Sequence, residues 1–286
     1  MSGRPLVVNA DDLGLTVGVN RAVRRAHVEG IVTATSVLAV GRAFVDAVAM
    51  LRDTPTLDLG VHLALVGEDP PLSPAASVPT LVDRRGNFPP TYRHFLVRAA
   101  TGRVDRDEVR REFSAQLDAV RASGIPITHL DTHQHVHLWP PVAAVVLDLA
   151  AEAGIPQVRL PRAHARGPLP VGVNALSASL RRHLRRRGMP VSDYAGLDEA
   201  GAMDQAAIGR ALRALAARAE RTAAPEQLAA ELNVHPGEVD ADSARFDWGY
   251  RWADELAALL DPATAAAVTA AGFELTSFAA LARGRR

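Results

Sequence analysis

Short apolar runs recur along this chain at about 6–12, 33–40, 58–65, 127–133, 157–161, 189–194, 230–235 and 273–277, and helical patterns fill most of the intervals. Strands that are apolar on both faces must be covered on both sides. Alternation with helices covers them by making the strands parallel. About eight such units in 286 residues predict an α/β protein, a single-domain (β/α) barrel over residues 1–286 with room for irregularity. A doubly wound open sheet is the alternative. The clearest helix is 105–122, where Val109, Phe113, Leu117 and Val120 share a face and Ser123-Gly124 ends the pattern. Pro140-Pro141 opens the next helix, and Gly154 with Pro156 closes it.

Two segments interrupt this rhythm. Residues 66–104 are rich in Pro and Gly and too long for a simple βα connection, so they are expected to form an inserted loop over the C-terminal rim of the barrel. Residues 181–187 form a basic run within LRRHLRRRG, with Leu176, Leu180 and Leu184 four apart. That spacing reads as a helix with a solvated basic face; a patch for anionic substrates or lipid headgroups is the other reading.

Composition narrows the function. Lys+Arg and Asp+Glu both number 32, so bulk electrostatics do not favour a nucleic-acid partner. The chain has no cysteine, which removes disulfides and thiolate metal sites. The apolar run near the N-terminus is too short for a signal peptide, and none reaches membrane-spanning length. A soluble, cytoplasmic protein is expected, and a homodimer is compatible with everything above.

The chemistry concentrates at strand ends. In VVNADDLGLT, Asp11 and Asp12 leave an apolar run side by side. Strand alternation aims neighbours at opposite faces, and two adjacent carboxylates repel unless a cation or a proton offsets them. In THLDTHQHVHLWP, four of the ten histidines, His129, His133, His135 and His137, fall within nine residues. If the stretch is extended, they and Asp131 share one face; if helical, His129, His133 and His137 do. Pro126 and Pro140-Pro141 favour an extended strand leaving the core. His62 in LGVHLAL and His235 in ELNVHPGEVD each end an apolar run and are weak signals alone.

Together, Asp11, Asp12, His62, His133, Arg159 and His235 lie at the C-terminal ends of predicted strands, where barrel enzymes assemble their chemistry. One aspartate with two histidines leaves open positions on a divalent ion, the arrangement of a catalytic site. The other aspartate is then free to move protons, and His235 could act as an acid across the site. Two histidines favour Zn²⁺ over Mg²⁺, although Mg²⁺ or another divalent ion remains open. The implied reaction is metal-assisted hydrolysis of an amide or ester.

These motifs resemble the YdjC-like carbohydrate deacetylases, a family that includes chitooligosaccharide deacetylases. NADDLGLTVGVNRAV, GVHLAL, THLDTHQHVHLWP and VHPGEVD recur in the family's order. The resemblance implies a barrel-like fold and removal of N-acetyl groups from amino-sugar substrates with one divalent metal. By position it makes Asp12, His62 and His133 the ligands, Asp11 the general base and His235 the acid. Asp131, His135 and His137 would support the ligands or touch substrate. Within VRLPR, Arg159 and Arg162 would contact substrate, and the loop ending L-x-D-x-x-G-x-F would line the cleft. Leu13 stands where many relatives have Phe, and Gln134 where chitooligosaccharide deacetylases have His. The motifs are shared with a branch associated with glycosylated lipids. Hydrolysis of a phosphoester or glycoside on the same site is the alternative chemistry.

Overall fold

The computed structural model describes residues 3–221 and 227–284. Its strands are β1 (Arg4–Leu13), β2 (Ala34–Val37), β3 (Asp58–Leu63), β4 (Ile127–Thr132), β5 (Gln157–Val158), β6 (Val191–Ala195), β7 (Gln227–Val234) and β8 (Phe273–Leu275). Its α-helices are α1 (Val17–Val28), α2 (Phe44–Arg52), α3 (Tyr92–Ala100), α4 (Arg106–Arg121), α5 (Pro140–Ala153), α6 (Pro168–Arg186), α7 (Gln205–Arg221), α8 (Trp252–Leu260), α9 (Pro262–Ala270) and α10 (Phe278–Arg283). Each expected run contains a strand. Several are shorter than the apolar pattern implies, because hydrogen bonding ends before apolar character does.

The strands pair in the order β5-β4-β3-β2-β1-β7-β6, all parallel, and β8 joins the first residues of β1. From β1 the chain steps through β2, β3, β4 and β5 on one side and returns through β6 and β7 on the other. That is the sequence of a barrel, not of a doubly wound sheet. The sheet is nearly closed: β5 and β6 face each other without pairing, and a buried bond from Gln157 Nε2 to Ser192 Oγ (3.3 Å) spans them. β5 stops after two residues; Pro161, which has no N–H, cannot extend it as an ordinary ladder residue.

Alternation along the strands builds two layers. Leu6, Val8 and Ala10 of β1, Leu59, Val61 and Leu63 of β3, and Leu130 of β4 join the main apolar core under the helices. The residues between them turn into the barrel. At the floor, Val7, Ala34 and Phe278 pack together, and the His129 ring lies 4.6 Å from Phe278. Above the floor the interior turns polar: Asn9, Ser36, Asp11, His62 and Asp131 are all buried.

The helices follow their sequence signals. Asp105 caps α4 by accepting the Asp107 and Glu108 N–H groups. Pro140-Pro141 starts α5, and left-handed Gly154 (φ 66°) ends it. In α6, Leu180 and Leu184 are buried, while its last turn holds His183, Arg185 and Arg186. The insertion is held by α4: Glu112 accepts from the Leu72 and Ser73 N–H groups, and Glu108 from that of Thr80. Among the described residues, no helix is long and apolar enough to cross a membrane.

Candidate active site and metal centre

The Asp-Asp pair sits where β1 loses regularity. The register against β2 shifts between Ala10 and Leu13, and Asp12 has a left-handed backbone (φ 66°). An L-residue bears this at a cost of about 1–2 kcal/mol, so the surroundings must impose it. The irregularity undoes the alternation expected of the pair. Instead of facing apart, both carboxylates reach one histidine: His62 Nε2 is 4.0 Å from Asp11 Oδ2 and 3.4 Å from Asp12 Oδ1.

Partners, not faces, distinguish the two acids. Asp12 Oδ1 also lies 3.1 Å from His133 Nδ1. The side chains of Asp12, His62 and His133 are buried and offer donor atoms within 4.8 Å of one another. His62 Nδ1 is 2.7 Å from Asp131 Oδ1, which assigns its proton to that nitrogen and leaves the Nε2 lone pair for the shared centre. One carboxylate and two imidazoles held this way fit a divalent ion. Asp11, His62 and Asp131 also lie close enough together, but a guanidinium already occupies both of those acids and repels a cation. The carboxylate field is strong: burial opposes charge on His62, yet Asp131, Asp11 and Asp12 lift its pKa to about 9, so an ion taken up here would displace the proton on Nε2.

That guanidinium belongs to Arg159. Its Nη1 and Nη2 donate to Asp11 Oδ2 and Oδ1 at 2.7 and 2.8 Å, and Nε donates to Glu231 Oε1 at 2.6 Å. Asp131 Oδ2 lies 2.7 Å from Nη2, and the Tyr194 ring centroid is 5.7 Å from the guanidinium carbon. Asp11 Oδ1 also accepts from Asn9 Nδ2 (2.8 Å) and Ser36 Oγ (3.0 Å). Oδ1 thus has three donors and Oδ2 one. Burial favours a neutral Asp11, but Arg159 and then His62 hold its carboxyl well below the usual range. His133, aided by His62, likewise lowers Asp12 against burial. Glu231 goes the other way: burial outweighs Arg159 and pushes it up to about 7.

Arg159 is therefore not the substrate contact that its motif implied. It is 1% exposed and organises the acids from below. Arg162, three residues on, is exposed and has no hydrogen bond or ion pair among the described residues.

The histidine cluster also departs from expectation. Extended backbone ends at Thr132, and Gln134 and His135 take left-handed angles (φ 50° and 54°) within a tight turn over His133–Leu138. The four rings share no face. His129 lies in the barrel against Thr128 Oγ1 (2.9 Å); a Cβ on Gly60 would come within 2.2 Å of its ring. His137 bridges Thr132 Oγ1 (2.6 Å) and the Arg159 carbonyl (3.0 Å). His135 Nε2 is 3.4 Å from the Tyr194 hydroxyl. Burial keeps all three neutral, with His129 and His137 at about 4 and His135 well below its ordinary value. None of these three rings supports His62, His133 or Asp12 by a hydrogen bond among the described residues: Arg159 holds Asp11, and Asp12 meets His133. His137 acts one step removed, by supporting the Arg159 backbone.

His235 enters from the end of β7. Its N–H donates to Glu255 Oε2 (2.6 Å), its Nε2 lies 3.9 Å from Asp11 Oδ2, and its buried Nδ1 has no partner. The rim is closed by two segments. Trp248 Nε1 donates to Glu68 Oε1 (2.9 Å), Arg245 pairs with Asp69, and Gln134 accepts the Tyr92 N–H (2.7 Å).

Sequence reasoning missed Glu231, Tyr194, Ser36 and the aromatic row Phe246, Trp248, Tyr250, Trp252. A glutamate inside an apolar run, and aromatics at every second position in a chain only 5% aromatic, were the available signals.

Comparison with known proteins places this site in context. The family model described as YdjC-like protein matches residues 5–270. A chitooligosaccharide deacetylase of Serratia marcescens is 30% identical over 96% of this chain and 97% of its own length. A carbohydrate deacetylase of Brevibacillus brevis is 39% identical over 54% of this chain, and one of Halalkalibacterium halodurans 36% identical over 53%. The matched segments span only 59% and 62% of those two relatives. A solved structure from Enterococcus faecalis V583, provisionally described as a cellobiose-phosphate cleavage protein, superposes with a TM-score of 0.77 at 26% identity, covering 98% of this chain and 99% of that one. With the family model spanning nearly the whole sequence and a relative aligned almost end to end, this chain belongs to the YdjC-like family.

Proposed function

We propose that this chain, acting as one domain over residues 1–286, is a metal-dependent deacetylase that hydrolyses N-acetyl groups on amino-sugar-containing carbohydrates. In this reading Asp12, His62 and His133 hold one divalent ion, with Zn²⁺ favoured over Mg²⁺ because two of the three donors are imidazoles. The observation that carries the proposal is the meeting of three buried donors beside a separately anchored carboxylate. The names of the relatives, carbohydrate deacetylase and chitooligosaccharide deacetylase, support the choice of bond.

When bound, such an ion supplies polarisation of the acetyl carbonyl and acidification of water. The protein's own groups do the rest. Asp11 Oδ2, the oxygen with a single donor, takes a proton from the attacking water. Arg159 keeps that carboxylate ionised and fixed in direction. As the C–N bond breaks, His235 Nε2 gives a proton to the leaving nitrogen, releasing acetate and a free amine. Asp131 fixes the His62 tautomer and so the direction of its Nε2 lone pair.

The competing reading keeps the site but changes the bond to a phosphoester or glycoside, and the description of the Enterococcus structure favours weighing it. A deacetylase of glycosylated lipid is a variant of the main reading. The test is a screen of acetylated amino sugars and sugar phosphates after EDTA treatment, with Zn²⁺, Mg²⁺, Mn²⁺ or Co²⁺ restored singly. The expected product is acetate, lost with EDTA and regained with metal. Phosphate or a new reducing end without acetate would overturn the proposal.

A further inference from the structure

The aromatic row after β7 does more than fill space. Phe246 and Trp252 are buried, while Trp248 and Tyr250 between them stay partly open. Trp248 lies 5.0 Å from Phe246 and 5.4 Å from Tyr250, and Tyr250 lies 6.3 Å from Trp252 (ring centroids). The Trp252 end of the row is fastened by backbone: the Arg251 N–H bonds to the Gly201 carbonyl (2.7 Å) and the Gly237 N–H to the Trp252 carbonyl (3.2 Å). Gly201 (φ 76°) has no side chain to displace Tyr250, since a Cβ there would come within 2.1 Å of that ring. The one polar atom of Trp248 is bound to Glu68 of the insertion, which fixes the ring plane.

The two partly exposed rings flank the proposed chemistry. Trp248 is 5.3 Å from the ring of His133, and Tyr250 is 5.1 Å from that of His235. Packing of the loop alone does not require both rings to keep some exposed surface beside these histidines. A pyranose ring presents an apolar C–H face with hydroxyls at its edge, which suits a fixed aromatic wall next to polar groups. We propose that Trp248 and Tyr250 form a stacking subsite for the pyranose ring that carries the acetamido group, with Trp248 on the His133 side and Tyr250 on the His235 side. The assignment of the ring as an amino sugar rests on the deacetylase reading.

The test is equilibrium binding of N,N′-diacetylchitobiose to the full-length chain, treated with EDTA so that no turnover accompanies binding. Trp248→Leu, which keeps apolar volume but loses the flat face, is expected to weaken binding about tenfold or more, and Trp248→Phe to stay within about threefold of wild type. Urea midpoints within error of wild type identify the folded variants, and Tyr250→Leu gives a second, independent loss. No saturable binding by the wild-type chain, or equal affinity in Trp248→Leu and wild type, overturns the subsite. Wild-type acetate release is measured in parallel. Phe-rescued binding without acetate release keeps the subsite and defeats the deacetylase reading, whereas acetate release with binding unchanged in Trp248→Leu does the reverse.

Discussion

The interior of the barrel and its rim are held together by different means. Inside, β1 to β7 or the residue just beyond each feed one buried network: Asp11 from β1, Ser36 from β2, His62 from β3, Asp131 from β4, Arg159 directly after β5, Tyr194 from β6 and Glu231 from β7. Where β5 and β6 fail to pair, Arg159 ties both sides of the opening to the centre. At the rim, the insertion and the segment after β7 meet through few polar contacts, chiefly Trp248 with Glu68 and Arg245 with Asp69. Charge in the interior is expensive to bury and correspondingly expensive to disturb; the rim contacts are fewer and less enclosed, and are worth less. On the proposed reading, reacting groups belong to the buried network and substrate selection to the rim.

The strongest challenge to this contrast is Arg159→Met. It removes the countercharge from three buried carboxylates, so unfolding stability should fall by about 3–5 kcal/mol, measured by urea titration. Arg159→Lys should recover little, because an ammonium cannot span Asp11 and Glu231 with a planar fork. A loss below about 1 kcal/mol, the range of an exposed pair, would erase the distinction between interior and rim.

Acid should find the interior first. His129 and His137 stay neutral down to about 4 in the folded state because burial opposes their charge, whereas in the unfolded chain they bind protons near 6.5. The unfolded state therefore binds more protons across that window, and their contribution to stability is lost as pH falls through it. Glu231, raised to about 7, acts oppositely: it binds its proton more tightly when folded, so its contribution fades as pH rises from its ordinary range through 7. Comparing one variant with wild type isolates the histidine effect. Between pH 7 and pH 5, His129→Leu should lose less stability than wild type, and parallel profiles would show that this ring is not held neutral by burial.

The smallest effect is expected at the rim. Arg245→Ala breaks the pair with Asp69, which is 5% exposed, while the arginine side chain is 19% exposed. Stability should fall by less than in Arg159→Met, because Arg42 Nε, 3.4 Å from Asp69 Oδ1, still offsets the buried acid, and the change should appear mainly as a higher KM for acetylated sugar. A drop in kcat with KM unchanged would mean that the rim supports the reacting groups as well.

The same contrast explains what could be read from sequence. Strand ends bearing Asp11, Asp12, His62 and His235 announced themselves because polar residues interrupt apolar runs, a local signal. The limits of α4 were legible from Asp105 and the Ser123-Gly124 stop. Left-handed backbone at Asp12 and at Gln134-His135 was not legible, since none of these is glycine and packing imposes the angles. The partner of Arg159 was equally hidden: Asp11 lies 148 residues away, and nothing local distinguishes an arginine aimed at substrate from one aimed inward. Four histidines in one motif looked alike, yet His129 and His137 are internal supports while His133 meets Asp12 and His62.

The central claim is the division of labour between Asp11 and Asp12, and paired substitutions test it most directly. Bound metal and acetate release should be measured together for Asp11→Asn and Asp12→Asn. Asp11→Asn cannot accept the water proton; it should keep its metal and lose about 10²–10⁴-fold in turnover. Asp12→Asn should bind metal more weakly, with activity partly restored by added Zn²⁺. Loss of metal from Asp11→Asn with full retention in Asp12→Asn would reverse the assignment, and undiminished acetate release from both would contradict the account.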